Sequence, residues 1–165
     1  MFSKLKCPII LVLSFIVSIS GCGYRTKSDL LGHIDTVTLS RINNETQEYG
    51  LEEDMTAVLK REFSRHWGDG SDSLFSANIR MYELLPIALS QANQPEQYRL
   101  IINMSFIFED LKRNRILRNE KNYEKMYDFY VVSGRGKPPE TLKEAKQNLI
   151  EETAKDIVSG IVEEW

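Results

Sequence analysis

Cysteine is nearly missing from this chain of 165 residues: Cys7 and Cys22 are the only two, and both sit near the N-terminus. A disulfide scaffold is therefore excluded beyond Cys22, and stability there must come from packing. Histidine is as scarce, with His33 and His66 alone. That leaves no His/Cys set at metal-ligand spacing, so no metal and no cofactor is expected, and His66 beside Trp67 reads as a helix-end residue. No acidic residue precedes Asp29, and no long block of one charge sign occurs. The formal charge of −3 becomes −5 if Lys4 and Lys6 are removed with a leader, which excludes bulk attraction to nucleic acid. Long apolar runs are missing too. The stretch Pro8 to Ser20 falls well short of the about twenty residues that a bilayer core requires.

What is present at the N-terminus has the order of an export signal. Lys4 and Lys6 form a short positive region, Pro8 to Ser20 an apolar one, and the small residues Ser20 and Gly21 permit cleavage before Cys22. Ile19-Ser20-Gly21-Cys22 resembles the lipobox of bacterial lipoproteins, which implies that residues 1–21 are a signal peptide and that Cys22 is lipidated. Acyl chains contribute about 0.8 kcal/mol per buried methylene, enough in a multiply acylated Cys for stable anchoring. Gly23 stands where an Asp would imply retention at the inner membrane, so the same resemblance implies the outer membrane. Residues 22–32 are polar and read as a lipidated tether, and residues 33–165 as a single α/β domain with a modest core.

Within that domain the hydrophobic period switches several times. Ile34 to Ile42 alternates, with Val37 and Leu39 on one side, and Asn43-Asn44 breaks the pattern as a turn. Leu51, Met55, Val58, Leu59, Phe63 and Trp67 have helical spacing. Glu52, Glu53 and Asp54 at its start and Lys60 and Arg61 near its end complement the helix dipole. Leu74 to Leu84 alternates again and should end at Pro86, and the strand–helix–strand path is long enough for a right-handed crossover. Tyr98 to Glu109 carries the strongest strand pattern and should be central, although Ile101 and Ile107 lie on its otherwise polar face, either covered by a partner or as the isolated exposed apolar residues that are common on surfaces. Tyr123 to Val132 makes a fourth strand, and a helix runs from Thr141 to the end. The expected fold is α+β: a two-layer sandwich ordered strand, helix, three strands, helix, with both helices on one face of a four-stranded mixed sheet.

Few residues point to chemistry. Glu52-Glu53 and Glu151-Glu152 could suggest a hydrolase, yet adjacent helical residues diverge by about a hundred degrees, and dipole compensation or solvation explains both pairs better. Gly134, Gly136 and Lys137 fail as a phosphate loop because Pro138-Pro139 follows where a helix should open. No enzyme is expected. Lys112 to Lys125 is the one local concentration of positive charge. If a hairpin turns near Asn114, the forks of Arg113, Arg115 and Arg118 could converge on phosphate oxygens; a solvated basic loop is the plainer alternative.

Gly21-Cys22-Gly23-Tyr24, the strand holding Val37, Asn43-Asn44 before the helix opening Leu51-Glu52, and Glu62-Phe63 within that helix resemble the LPS-assembly lipoprotein family, LptE. So do Tyr98-Arg99-Leu100 through Asp110 and the closing helix to Trp165. The resemblance implies a lipoprotein that plugs the lumen of the β-barrel LptD, one copy per barrel, in the delivery of lipopolysaccharide to the cell surface. It also implies lipopolysaccharide binding, for which Arg113, Arg115, Arg118 and Lys121 are the candidates by charge. A lipoprotein that regulates or scaffolds another envelope machine, such as a cell-wall synthase, would suit the same fold.

Overall fold

The computed structural model describes residues 31–133 and 136–163. The signal peptide, Cys22, most of the expected tether, Gly134 and Trp165 lie outside the described residues. In chain order the elements are β1 (Thr36–Leu39), β2 (Asn43–Asn44), α1 (Leu51–Phe63), β3 (Gly68–Asp69), β4 (Ser73–Leu89), β5 (Pro95–Asp110), β6 (Arg115–Tyr130) and α2 (Leu142–Glu163). They form an α+β sandwich on one mixed sheet ordered β3-β1-β4-β5-β6, with β2 beside β4. β1 runs parallel to β4, joined to it by the α1 crossover, while β4, β5 and β6 form an antiparallel meander.

The even-numbered residues of β5 explain why the layers meet on one side only. Leu100, Ile102, Met104, Phe106 and Phe108 are almost fully buried and share one core with Leu51, Met55, Leu59 and Phe63 of α1. Ala145, Leu149, Ala154, Ile157 and Ile161 of α2 complete it, as their helical spacing requires. α2 opens on a reciprocal cap in which the Thr141 N–H donates to the Glu144 carboxylate at 2.8 Å and the Glu144 N–H to Thr141 Oγ1 at 3.3 Å. α1 stops at Phe63, and the His66 and Trp67 N–H groups bond back to the Phe63 carbonyl, so His66 sits in a closing turn just past the helix.

Four details depart from the sequence reading. The sheet has six strands rather than four, because two-residue pairings add β2 and β3. Asn43-Asn44, expected as a turn, pairs with Asn78 and Ile79; the turn follows, held where the Asn44 side chain accepts the Thr46 N–H at 2.9 Å and donates to the Glu48 carbonyl at 2.9 Å. β4 does not end at Pro86 but runs on to Leu89, with Pro86 opposite Tyr98. Glu45 N–H donates to the Ile79 carbonyl, so Ile79 turns its backbone away from β5, and the register places Pro86 in the same outward phase. The missing N–H of Pro86 therefore faces an open edge, where proline is tolerated. Finally, β6 begins at Arg115, so most of the basic stretch is strand; the turn is short, with Asn114 at φ 48°.

One glycine is fixed by contact. A Cβ on Gly70 would stand 2.8 Å from Thr36 Cβ and 2.7 Å from its Oγ1. Thr36 is β-branched and accepts the Asp72 N–H, so it cannot swing aside. Gly70→Ala should lower the unfolding free energy by about 1–3 kcal/mol in urea titration.

Candidate functional site

Both helices pack on the inner face of the sheet, so among the described residues its other face has no covering layer. Odd-numbered residues of β5 line the middle of this open face, and polar groups from three strands are tied across it. Arg99 on β5 donates through Nε and Nη2 to the two Asp128 carboxylate oxygens on β6 at 2.7 and 2.8 Å. The hydrogen bonds and charge of Arg99 hold the Asp128 carboxyl below the usual carboxylate range, against the opposing effect of burial. Asn103 donates to Asn122 Oδ1 at 2.9 Å, and Arg80 reaches from β4 to the Lys121 carbonyl at 3.0 Å. Ser76, Asn78, Ser105, Ile107 and Asn119 line a shallow groove of about 430 Å³ bordered by Arg80 and Lys121.

Two residues on this face are more buried than an uncovered position requires. Ile101 is 9 % exposed and Asn103 8 %, although no described element lies over them. Towards the β4–β5 turn the surface becomes apolar, with Leu85, Met126 and Val131 exposed. On the helix side, a cleft of about 750 Å³ between α1 and α2 is bridged by Lys146, which pairs with Glu48 at 2.9 Å and Asp54 at 3.6 Å.

The four candidate basic residues do not share a surface. Arg118 points inward, its Cζ 5.6 Å from the Phe106 ring centre and its Nη1 2.7 Å from where a Gly160 Cβ would be. Its guanidinium occupies the slot that the glycine leaves beneath α2. Lys121 borders the open-face groove, whereas Arg113 and Arg115 stand exposed at the β5–β6 turn. Arg118→Ala should therefore act on the fold, lowering unfolding free energy by about 1–2 kcal/mol through lost packing of its stem and its stacking on Phe106.

The β5–β6 turn also holds a pair that the sequence does not announce. Asp110, 1 % exposed, accepts from His33 Nε2 at 2.6 Å and from the Arg113 N–H at 3.0 Å. Beside it, Lys112 pairs with Asp72 at 2.9 Å and donates to the His33 carbonyl at 2.8 Å. These contacts tie the start of the described chain to the end of β5. Among the described residues no group of three or more His, Cys, Asp or Glu side chains is placed to hold a metal ion.

Amide, hydroxyl and guanidinium groups spread over the open sheet face, with an apolar end, offer hydrogen bonds and contact area to another surface. Groups of these kinds are common at the polar parts of protein interfaces. The sequence profile of the LptE family, described as lipopolysaccharide-assembly, matches residues 34–164, and the chain belongs to that family. It is accordingly an envelope lipoprotein of the lipopolysaccharide-assembly type, a family of assembly proteins and not of enzymes. No curated protein matches the sequence. Among solved structures, a hypothetical protein of Chlamydia trachomatis is similar at 8% identity and TM-score 0.51, covering 78% of this chain and 98% of its own. This likeness concerns the fold alone. The rare lipoprotein B of Shewanella oneidensis is similar at 12% identity and TM-score 0.44, covering 77% of this chain and 92% of its own. A minor lipoprotein of Acinetobacter baumannii is similar at 12% identity and TM-score 0.44, with 77% and 91% covered.

Proposed function

We propose that this protein is anchored in the outer membrane through lipid on Cys22 and fills the lumen of an LptD β-barrel, one copy per barrel, as the plug and support of lipopolysaccharide assembly. The observation that carries the reading is the open sheet face. Among the described residues it lacks a second layer, buries Ile101 and Asn103 with no element above them, and presents amide, hydroxyl and paired charged groups that suit the polar interior of a wide barrel. Two carboxylates placed there, Ser105→Glu with Asn119→Glu, remove no core side chain and should leave Tm within a few degrees, about the range of surface substitutions. Recovery of the barrel with the variant should fall about tenfold, since charge buried without a partner costs several kcal/mol. Undiminished recovery would remove the open face from the interface.

Lipopolysaccharide binding belongs to the same proposal. Of the four candidates, Arg113 and Arg115 stand exposed at the β5–β6 turn and Lys121 lies at the groove, so these can meet phosphate while Arg118 serves packing. Arg113→Ser with Arg115→Ser should weaken binding to lipopolysaccharide about tenfold at low salt, the difference shrinking as the Debye length falls to about 3 Å at 1 M. Equal affinity of variant and parent at low salt would show that the phosphates are met elsewhere.

A further inference from the structure

β4 is covered along half of its outer edge and bare along the rest. Up to Ile79 it pairs with β1 and β2; beyond Ile79, among the described residues, no strand lies on that side. Its backbone phase there follows from the pairings. Ser40 and Glu45 N–H groups donate to the Phe75 and Ile79 carbonyls, which therefore point away from β5. Ile79 stands opposite Met104, and Tyr82, Leu84 and Pro86 stand opposite Ile102, Leu100 and Tyr98, all in one phase of β5. The alternation of an antiparallel ladder thus turns the N–H and C=O groups of Tyr82 and Leu84, and the C=O of Pro86, outward. The register runs without a shift from Met81 to Pro86.

The sheet's other long edge differs in its chemistry. β6 carries a charged residue at every second or third position from Arg115 to Asp128, the usual guard of an exposed edge. β4 carries none from Leu84 to Leu89, and Leu84, Leu85, Ile87 and Leu89 are exposed, Leu89 by 55 %. β2 leaves at this point through the turn at Thr46–Glu48, and Glu48 faces Tyr82, whose phenol is pushed up to about 12 by burial and by that carboxylate. The space the strand would have continued into lies free of described strands.

A second copy of this chain fits poorly. An antiparallel two-fold pairing that uses the donors of both Tyr82 and Leu84 sets them opposite each other, which places Glu83 against Glu83. Shifting the axis to Leu84 sets Tyr82 against Pro86, which has no N–H, and shifting it to Tyr82 runs Leu84 into the bulge at Arg80. Like charges directly opposed and lost ladder bonds both disfavour the pair. We propose that the β4 edge from Tyr82 to Pro86 is a strand-addition site that takes an extended, uncharged segment of a partner protein. The segment bonds to Tyr82 and Leu84, and its alternate side chains meet the apolar run that ends at Leu89. This goes beyond the plug reading and does not depend on it.

The test uses the full-length chain and, as probe, a blocked peptide of alternating threonine and valine. It is N-methylated at every second residue, so that it offers one bonding edge and does not stack on itself. Amide hydrogen exchange should slow about tenfold or more at Tyr82 and Leu84 with saturating peptide, and stay unchanged at Glu83 and Leu85, which already face β5. Leu84→Pro removes one outward donor without touching the β5 ladder and should abolish the protection of Tyr82. Ile87→Lys with Leu89→Lys, which gives this edge the guard that β6 has, should weaken the peptide about fivefold even if the proline variant does not fold. No slowing at millimolar peptide overturns the proposal. So does protection that rises with protein concentration without peptide, which would assign the edge to a second copy, or protection undiminished in the lysine variant.

Discussion

Phe106→Ala should lower the unfolding free energy by about 3–5 kcal/mol, the largest loss expected of any single truncation in this chain. Phe106 is 1 % exposed, on a strand paired on both sides, and meets residues of both neighbouring strands. Its ring stacks on Phe75 of β4 at 5.6 Å between centroids and meets Tyr123 of β6 edge-on at 5.9 Å. The Arg118 guanidinium lies over it beneath α2. Alanine would leave a cavity walled by stiff aromatic groups, which collapse poorly, and would remove the ring that the Arg118 guanidinium lies over. Urea titration measures the loss. A fall under about 1 kcal/mol would show that the β4–β5–β6 core repacks freely, contrary to the density of native interiors.

Asp110→Ala should rank next, at about 2–3 kcal/mol, because it leaves the Arg113 N–H and the His33 ring without the acceptor they share. The effect should depend on pH. Burial by itself pushes the Asp110 carboxyl up, but the hydrogen bonds from His33 and the Arg113 N–H, with the charges nearby, hold it below the usual carboxylate range. A carboxyl whose folded pKa lies below its unfolded value binds fewer protons in the folded state, so it stabilises the fold above the unfolded pKa of about 3.9 and loses that contribution as pH falls through the folded value. The parent and Asp110→Ala should therefore differ most near neutral pH and approach each other as pH falls below the ordinary carboxylate range. Denaturant midpoints measured along a pH series check this; a gap that stays constant down to pH 2 would mean that packing, not ionisation, fixes the role of Asp110.

The parts of this structure that were legible in the sequence are those that one strand or one helix determines alone. The even residues from Tyr98 to Phe108 alternate without a break, and a strand so apolar on one side has to be central. The stripe from Leu51 to Phe63 announces its helix in the same way. What escaped depends on neighbours. Pro86 ends a strand or not according to which edge its nitrogen faces, and only the pairing with β5 decides that. The run from Arg115 to Lys121 looked like a loop because register shifts at Phe108/Glu109 and Met104/Phe106 break the alternation of β6, and because an edge strand carries charge on both sides. Those shifts also scatter the basic residues, sending Arg118 inward while Lys121 stays on the open side. His33 and Asp110 are 77 residues apart in sequence, a distance over which no local pattern can pair them.

Affinity recovery of the lipidated, tagged chain from solubilised outer membrane, with mass identification of what comes with it, tests the plug reading most directly. A large β-barrel protein at a near one-to-one ratio, retained through a high-salt wash that screens surface charge, is the result predicted. Recovery of a cell-wall synthase, or of no stable partner, would contradict it and leave an assembly-family lipoprotein whose open sheet face serves some other machine.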